Sequence, residues 1–263
     1  MQTRSRAGRY PGVRVIKIGG SVITDKRTFK LNYAIANRIA GEIAAAVSNG
    51  IKVGIVLGGG SYGHVAASSA RMLDAPPADA LTLVTMYMFE LVLAMADILA
   101  SKGVKPVVYP PHSFCDPDGL VPRCNWNSVL RDMKVGVTPL VYGDVYACGE
   151  SWCIVSGDEL AIEMACSLGS PLVVYVTDVD GVIDADGKVI DEIHVDELEE
   201  SSIVEQQKTG SKIDVTGGIK RKLDAIRANR CLTLREILVT NGLREGNTYA
   251  ALMGHGSGTR IIL

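Results

Sequence analysis

Residues 13–21 read Val13-Arg-Val-Ile-Lys-Ile-Gly-Gly-Ser21, and the reading of the fold starts from this stretch. The apolar, β-branched run predicts a strand over Val13–Ile18. Gly19-Gly20-Ser21 predicts a tight turn, because a backbone without Cβ atoms bends where other residues clash. Lys17 lies inside the strand, between Ile16 and Ile18. A lysine there is costly unless its ammonium meets an anion or the strand lies at a solvated edge.

The same strand–turn–helix pattern recurs outward from it. Alanine-rich helical spacing predicts a helix over Tyr33–Val47, ended by Gly50. A second buried strand, Val53–Leu57, runs into Gly58-Gly59-Gly60, and Val65–Met72 reads as helix. After Pro76-Pro77 a long helix runs from about Asp79 to Ser101, with Gly103 behind it. A short strand at Pro106–Tyr109, a helix at Asn127–Met133 and a strand at Thr138–Tyr142 follow, the last ending in Gly143-Asp144. Tyr146–Val155 has hairpin character around Gly149, Asp158–Leu168 is helical, and Leu172–Thr177 is β-rich. The remainder holds Asp178-Val-Asp-Gly181, a hairpin-like Asp184–Gly187, a polar loop or lid at Ser201–Lys212, and a basic helix at Ile219–Arg227. A strand at Ile237–Thr240, a short helix at Thr248–Met253 and a final strand complete it. Strands alternating with helices predict an α/β fold: a three-layer α/β/α sandwich with a mostly parallel central sheet.

With 263 residues, 47% of them hydrophobic, the chain suits one large domain or two fused lobes. We expect a short lead at 1–12, one lobe at 13–150 and a second at 151–263, with a soft boundary near Cys148–Ser156. A formal charge of -2 and a pI near 6.1 give no global basic field for nucleic acid. The basic N-terminus has no apolar stretch behind it, so no secretory signal is expected. The longest apolar run, Leu81–Leu99, is interrupted by Glu90 and Asp97 and reads as a buried helix rather than a membrane span. Six cysteines show neither C-x-x-C nor zinc spacing, and are expected as free thiols in a reducing compartment.

Three glycine turns follow strands or precede a helix: Gly19-Gly20, Gly58-Gly59-Gly60 and Gly217-Gly218. Such turns serve tight bends, but several at the carboxyl edge of one sheet build anion sites from backbone N–H groups and helix dipoles. None matches the P-loop or dinucleotide fingerprint. Lys17 precedes the first turn, Lys26 lies in a polar loop, and Lys220 and Lys222 open the helix after the third. Cations at a helix N-terminus oppose its dipole, which makes sense where a phosphate also sits; solvated surface lysine is the plain alternative. Asp158 begins a helix, either as its N-cap or as a carboxylate holding two lysines. His64, a turn beyond the triple glycine, could donate a hydrogen bond to an anion there. Phosphoryl transfer needs just such positioning and positive charge.

Taken together, these residues resemble the amino acid kinase superfamily from Val13 to Ile262. Lys17-Ile-Gly-Gly-Ser21 resembles its opening motif, Thr177-Asp-Val-Asp-Gly181 its nucleotide-side motif, and Asp214-Val-Thr-Gly-Gly-Ile-Lys-Arg-Lys222 its D-V-T-G-G-M-x-x-K motif. Within the superfamily, Gly58-Gly-Gly-Ser-Tyr-Gly-His64 is similar to the G-G-G-(A/S)-F-G-H segment of isopentenyl phosphate kinases, as are Ser156-Gly-Asp158 and Asn241-Gly…Gly258-Thr259. Leu57 and Tyr62 depart from the histidine and phenylalanine usual in that family. Fosfomycin-resistance kinases share the histidine segment, whereas N-acetylglutamate kinases lack the histidine.

The resemblance implies ATP as donor with Mg²⁺ bridging its phosphates, isopentenyl phosphate as acceptor, and a cytoplasmic homodimer with no nucleic-acid or membrane partner. It implies that Lys17 and Lys222 contact transferring oxygens, that Asp158 orients them, and that His64 grips the acceptor phosphate. Lys26 and Lys220 would lie near the ATP phosphates, with Gly19, Gly20 and Gly218. Thr177, Asp178, Asp180 and Gly181 would line the nucleotide side. Gly59, Gly60, Gly63 and Gly157 would surround the acceptor, whose tail would run along Met86, Tyr87 and Glu90; a methionine and aromatic stripe is also ordinary core. A kinase for fosfomycin or an acylated amino acid, and a non-catalytic nucleotide- or oxyanion-binding protein, remain as alternatives.

Overall fold

A computed structural model of the chain describes residues 12–25, 30–116, 122–184, 187–195 and 231–263. In chain order the first elements are β1 (Val13–Ile18), α1 (Gly20–Ile23), α2 (Tyr33–Ser48), β2 (Lys52–Leu57), α3 (Gly60–Met72) and α4 (Pro77–Ser101). They are followed by β3 (Pro106–Val108), a 3-10 turn at Pro111–Ser113, β4 (Cys115–Asp116), β5 (Arg123–Cys124) and α5 (Asn127–Asp132). Then come β6 (Thr138–Tyr142), β7 (Asp144–Cys148), β8 (Ser151–Val155), α6 (Gly157–Leu168) and β9 (Leu172–Thr177). β10 (Glu192–His194), β11 (Glu236–Asn241), α7 (Asn247–Leu252) and β12 (Thr259–Ile262) complete the described elements.

Eight strands form one sheet in the order β10-β12-β11-β9-β1-β2-β6-β3. β11, β9, β1, β2, β6 and β3 run parallel, and only β12, with β10 beside it, runs the other way. Because side chains alternate across a strand, each buried strand feeds two cores. Ile16, Ile18, Ile55, Leu57 and Val174 face the helices α2, α3, α4 and α7. Val13, Val15, Val56, Val173 and Tyr175 face α5 and α6. The predicted α/β/α sandwich is the observed architecture.

α4 has the length and mean hydropathy (1.8) of a bilayer-crossing helix. Its buried residues, among them Val84, Met88, Leu91, Val92 and Met95, pack into the first core, as a central helix requires.

The cysteine expectation is corrected. Cys115–Cys124, Cys148–Cys153 and Cys166–Cys231 are disulfides, and no described cysteine is free. Two of the pairs are set by hairpin register and one by a long-range contact. β4 and β5 set Cys115 opposite Cys124. The β7–β8 ladder pairs Cys148 with Ser151 and Tyr146 with Cys153, leaving the two cysteines diagonal neighbours. Cys166, near the end of α6, meets Cys231, which precedes β11. The predicted lid at Ser201–Lys212 and helix at Ile219–Arg227 lie outside the described residues.

Candidate active site

β1 is interior, with Lys17 opposite Val56 of β2 and Tyr175 of β9. A solvated edge is therefore excluded as the reason Lys17 is tolerated. Alternation puts Lys17 on the face of Val13 and Val15, which α6 covers. There its Nζ lies 2.8 Å from Asp158 Oδ1, the two side chains being 12% and 8% exposed.

Asp158 is not the cap of α6. Ser156 is: its Oγ accepts from the Asp158 N–H at 3.1 Å, and the Glu159 carboxylate accepts from the Ser156 N–H at 3.2 Å, a reciprocal capping box. The Asp158 carboxylate is thereby released to pair with Lys17. Tyr175 from β9 donates its hydroxyl to the Asp158 carbonyl at 3.0 Å and fixes the start of the helix. Burial holds the Tyr175 phenol well above its ordinary pKa, so it stays a donor.

The first two glycine turns pack backbone to backbone. A Cβ on Gly20 would lie 1.9 Å from the Gly60 nitrogen, and Gly60 itself has φ +52. Thr24 stitches the turns, donating to the Gly20 carbonyl at 2.7 Å and accepting from the Ser61 N–H at 3.0 Å. One expectation is corrected here: the Gly19 N–H already donates to the Val176 carbonyl at 2.8 Å, extending the sheet, and is not an outward donor. Gly157 is also close to its neighbours, a Cβ there lying 3.0 Å from the Leu57 carbonyl oxygen.

Lys17, Asp158, Gly59, Gly63, His64 and Gly157 line one cleft at the carboxyl edge of the sheet. Gly58, Gly143 and Ser156 complete its polar side, and Ala67, Val84, Met88, Val145 and Ile154 form an apolar side. The cavity is about 50 Å³, small beside ordinary ligand pockets of several hundred. His64 stands in the first turns of α3, so a cation, a helix N-terminus and a histidine converge on one space. The chemistry this permits is the binding and charge stabilisation of an anion, with an apolar group lying beside it.

Other expected residues lie elsewhere. Met86 is 67% exposed, and neither it, Tyr87 nor Glu90 lines the cleft. Val84 and Met88 of the same helix do, a face displaced from the expected one. Tyr62 is buried, and its hydroxyl meets the Leu31 backbone; burial and the Glu90 carboxylate push its pKa up. Asp144 and Ile154, also on the cleft, were missed. The Gly143-Asp144 pair at the end of a parallel strand was the available signal.

On the proposed nucleotide side, Ser21 donates to Asp178 Oδ1 at 3.1 Å, tying the first turn to the end of β9. Thr177 Oγ1 donates to backbone carbonyls of Val179 and Thr240. Asp180 pairs with Arg244 at 2.7 Å and accepts from Asn241; Arg244, then Asn241, hold its carboxyl below the usual range. Gly181 packs on Thr259. Lys26, Gly218, Lys220 and Lys222 lie outside the described residues.

A model of the amino acid kinase family matches residues 12–229. The isopentenyl phosphate kinase of Methanocaldococcus jannaschii is 30% identical over 263 residues, covering 94% of this chain and 97% of that protein. That of Thermoplasma acidophilum is 30% identical over 234 residues, covering 87% and 91%. A solved isopentenyl phosphate kinase superposes with a TM-score of 0.76 at 25% identity, over 95% of this chain and 100% of that one.

Proposed function

The chain belongs to the amino acid kinase family, and on that premise we propose that it transfers the γ-phosphoryl group of ATP to isopentenyl phosphate, giving isopentenyl diphosphate and ADP. The observation that carries this reading is the meeting of the Lys17–Asp158 pair, His64 and an apolar wall in one cleft. A phosphomonoester with a short hydrocarbon tail has that same division into anion and apolar part.

In this reading Lys17, held by Asp158, faces the negative charge on the transferring oxygens. His64 donates to the acceptor phosphate. An acceptor phosphate oxygen is already anionic, so no side chain need remove a proton. Lys222, Lys220 and Gly218 would supply further donors, with Lys26 at the β/γ-phosphates. ATP would occupy the edge marked by Gly20, Thr177, Asp178, Asp180 and Gly181, and would arrive as its Mg²⁺ complex, the ion offsetting phosphate charge. Residues 13–150 would form the acceptor lobe and 151–263 the nucleotide lobe.

We further propose a cytoplasmic homodimer without nucleic-acid or membrane partners. A cytoplasmic home requires the three disulfides to survive there, as such bonds do in intracellular proteins of hyperthermophiles.

Steady-state ADP release with isopentenyl phosphate, fosfomycin and an acylated amino acid tests the assignment. Turnover on isopentenyl phosphate at least about 100-fold above the others in kcat/KM is expected. Preference for either rival overturns the acceptor, and ATP binding without turnover on any acceptor overturns catalysis.

A further inference from the structure

We propose that Asp144 is a positioning residue that clamps the two apolar walls of the cleft together and so restricts the acceptor to a short tail. This rests on the acceptor reading above and adds a residue to it.

Three elements meet at the Asp144 side chain, which is fully buried. Its Oδ1 accepts from Thr85 Oγ1 of α4 at 3.1 Å and from the Val145 N–H of its own hairpin at 2.9 Å. Its Oδ2 faces His112 Nδ1, on the 3-10 turn, at 3.4 Å. The His112 ring in turn stacks on Tyr146 of β7, with centroids 4.3 Å apart. The facing Asp144 carboxylate raises the His112 pKa above its ordinary value, with burial opposing.

Each partner is next to a wall. Thr85 follows Val84 and sits one turn from Met88, the two α4 residues on the cleft. Val145 and Ile154 are the hairpin residues on the opposite side, paired with each other across β7 and β8. One carboxylate therefore fixes the spacing between Val84 and Met88 on one side and Val145 and Ile154 on the other. Met88 also packs on the glycine turn, its Sδ within 2.9 Å of where a Gly63 Cβ would lie. The wall that limits the tail is thus continuous with the turn that carries His64. With that spacing fixed, a longer tail enters only if α4 and the hairpin part.

A buried carboxylate is a costly way to join two apolar surfaces, since apolar packing alone would hold them. Directional bonds to fixed partners set a spacing that adaptable apolar side chains, methionine above all, would not.

The test uses the full-length protein and alkyl monophosphates from propyl to decyl phosphate, measuring both Kd and kcat/KM. Thr85→Val removes the α4 arm alone with little change in volume. Asp144→Ala removes all three arms, and Asp144→Asn keeps an acceptor for Thr85 and the Val145 N–H. For Thr85→Val and Asp144→Ala, affinity for the long acceptors relative to the short is expected to rise about tenfold, and in Thr85→Val kcat on short acceptors is expected to change little. Asp144→Asn is expected to restore the wild-type cut-off. An unchanged cut-off in Thr85→Val and in folded Asp144→Ala overturns the clamp, as does equal loss of affinity for every tail length. Failure of the wild type to bind any member of the series also overturns it. A cut-off that moves in binding while no acceptor is phosphorylated upholds the clamp and overturns the proposed reaction.

Discussion

Lys17 and Asp158 meet at 2.8 Å although 141 positions separate them, because β1 lies directly under the first turn of α6. With both side chains nearly buried, each charge depends on the other. Lys17→Met is expected to lower kcat about 10²–10³-fold with a small change in KM, the loss typical of one donor aimed at transition-state charge. Single-turnover kinetics measure this, and an unchanged kcat would remove Lys17 from the transfer step.

Asp158→Ala strands the Lys17 ammonium in a mostly buried position. A loss of about 3 kcal/mol of stability is expected, as when one partner of a buried pair is removed. Urea unfolding at constant m-value measures it. The double variant Lys17→Met/Asp158→Ala is expected to recover much of the loss.

His64→Ala is expected to raise the acceptor KM about 10–100-fold, the worth of a hydrogen bond to a charged group, with kcat falling less. His64→Gln keeps a donor and is expected to lie between. A KM for ATP that rises as steeply would place His64 with the wrong substrate.

Glu163 of α6 accepts from the Cys124 N–H at 2.8 Å, yet burial pushes its carboxyl up to about 7. A carboxyl whose folded pKa exceeds the unfolded value binds more protons when folded. Stability is then lost as pH rises from about 4.5 to about 7, and stays lower above it. Glu163→Gln is expected to flatten that slope, and denaturation curves across the interval read it directly.

Cys166 and Cys231 close a loop of 65 residues, which on chain-entropy grounds is worth up to about 4 kcal/mol. The Cys166→Ser/Cys231→Ser variant is expected to unfold at correspondingly lower denaturant. Thiol titration of the unfolded, unreduced protein is expected to find no free cysteine among the six; full reactivity would dissolve all three bridges.

Much of the fold was readable along the chain. β1, β6 and β9 begin and end where their apolar runs do, and α2 and α4 follow helical spacing to within two residues at each end. The glycine turns were readable for the same reason, since glycine is conspicuous and its use is local. Lys17 announced itself as a charge out of place. The face of α4 was not readable. Its hydrophobic residues run nearly all round, so choosing Val84 and Met88 over Met86 and Tyr87 required knowing where the β7–β8 hairpin lies. The release of Asp158 from capping was equally hidden, because Ser156 and Asp158 are both good caps until the backbone angles select one.

The sequence by itself determined the alternation of strand and helix, the glycine corners and the identity of the charged residues, all matters of neighbours along the chain. Tertiary structure alone decided that Lys17 is interior, which carboxylate it meets, which cysteines pair, and that Asp144 joins α4 to the hairpin. The Lys17–Asp158, Thr85–Asp144 and Cys166–Cys231 contacts span tens of residues and depend on strand order and helix rotation, and the two short-range disulfides depend on hairpin register, none of which a local preference encodes.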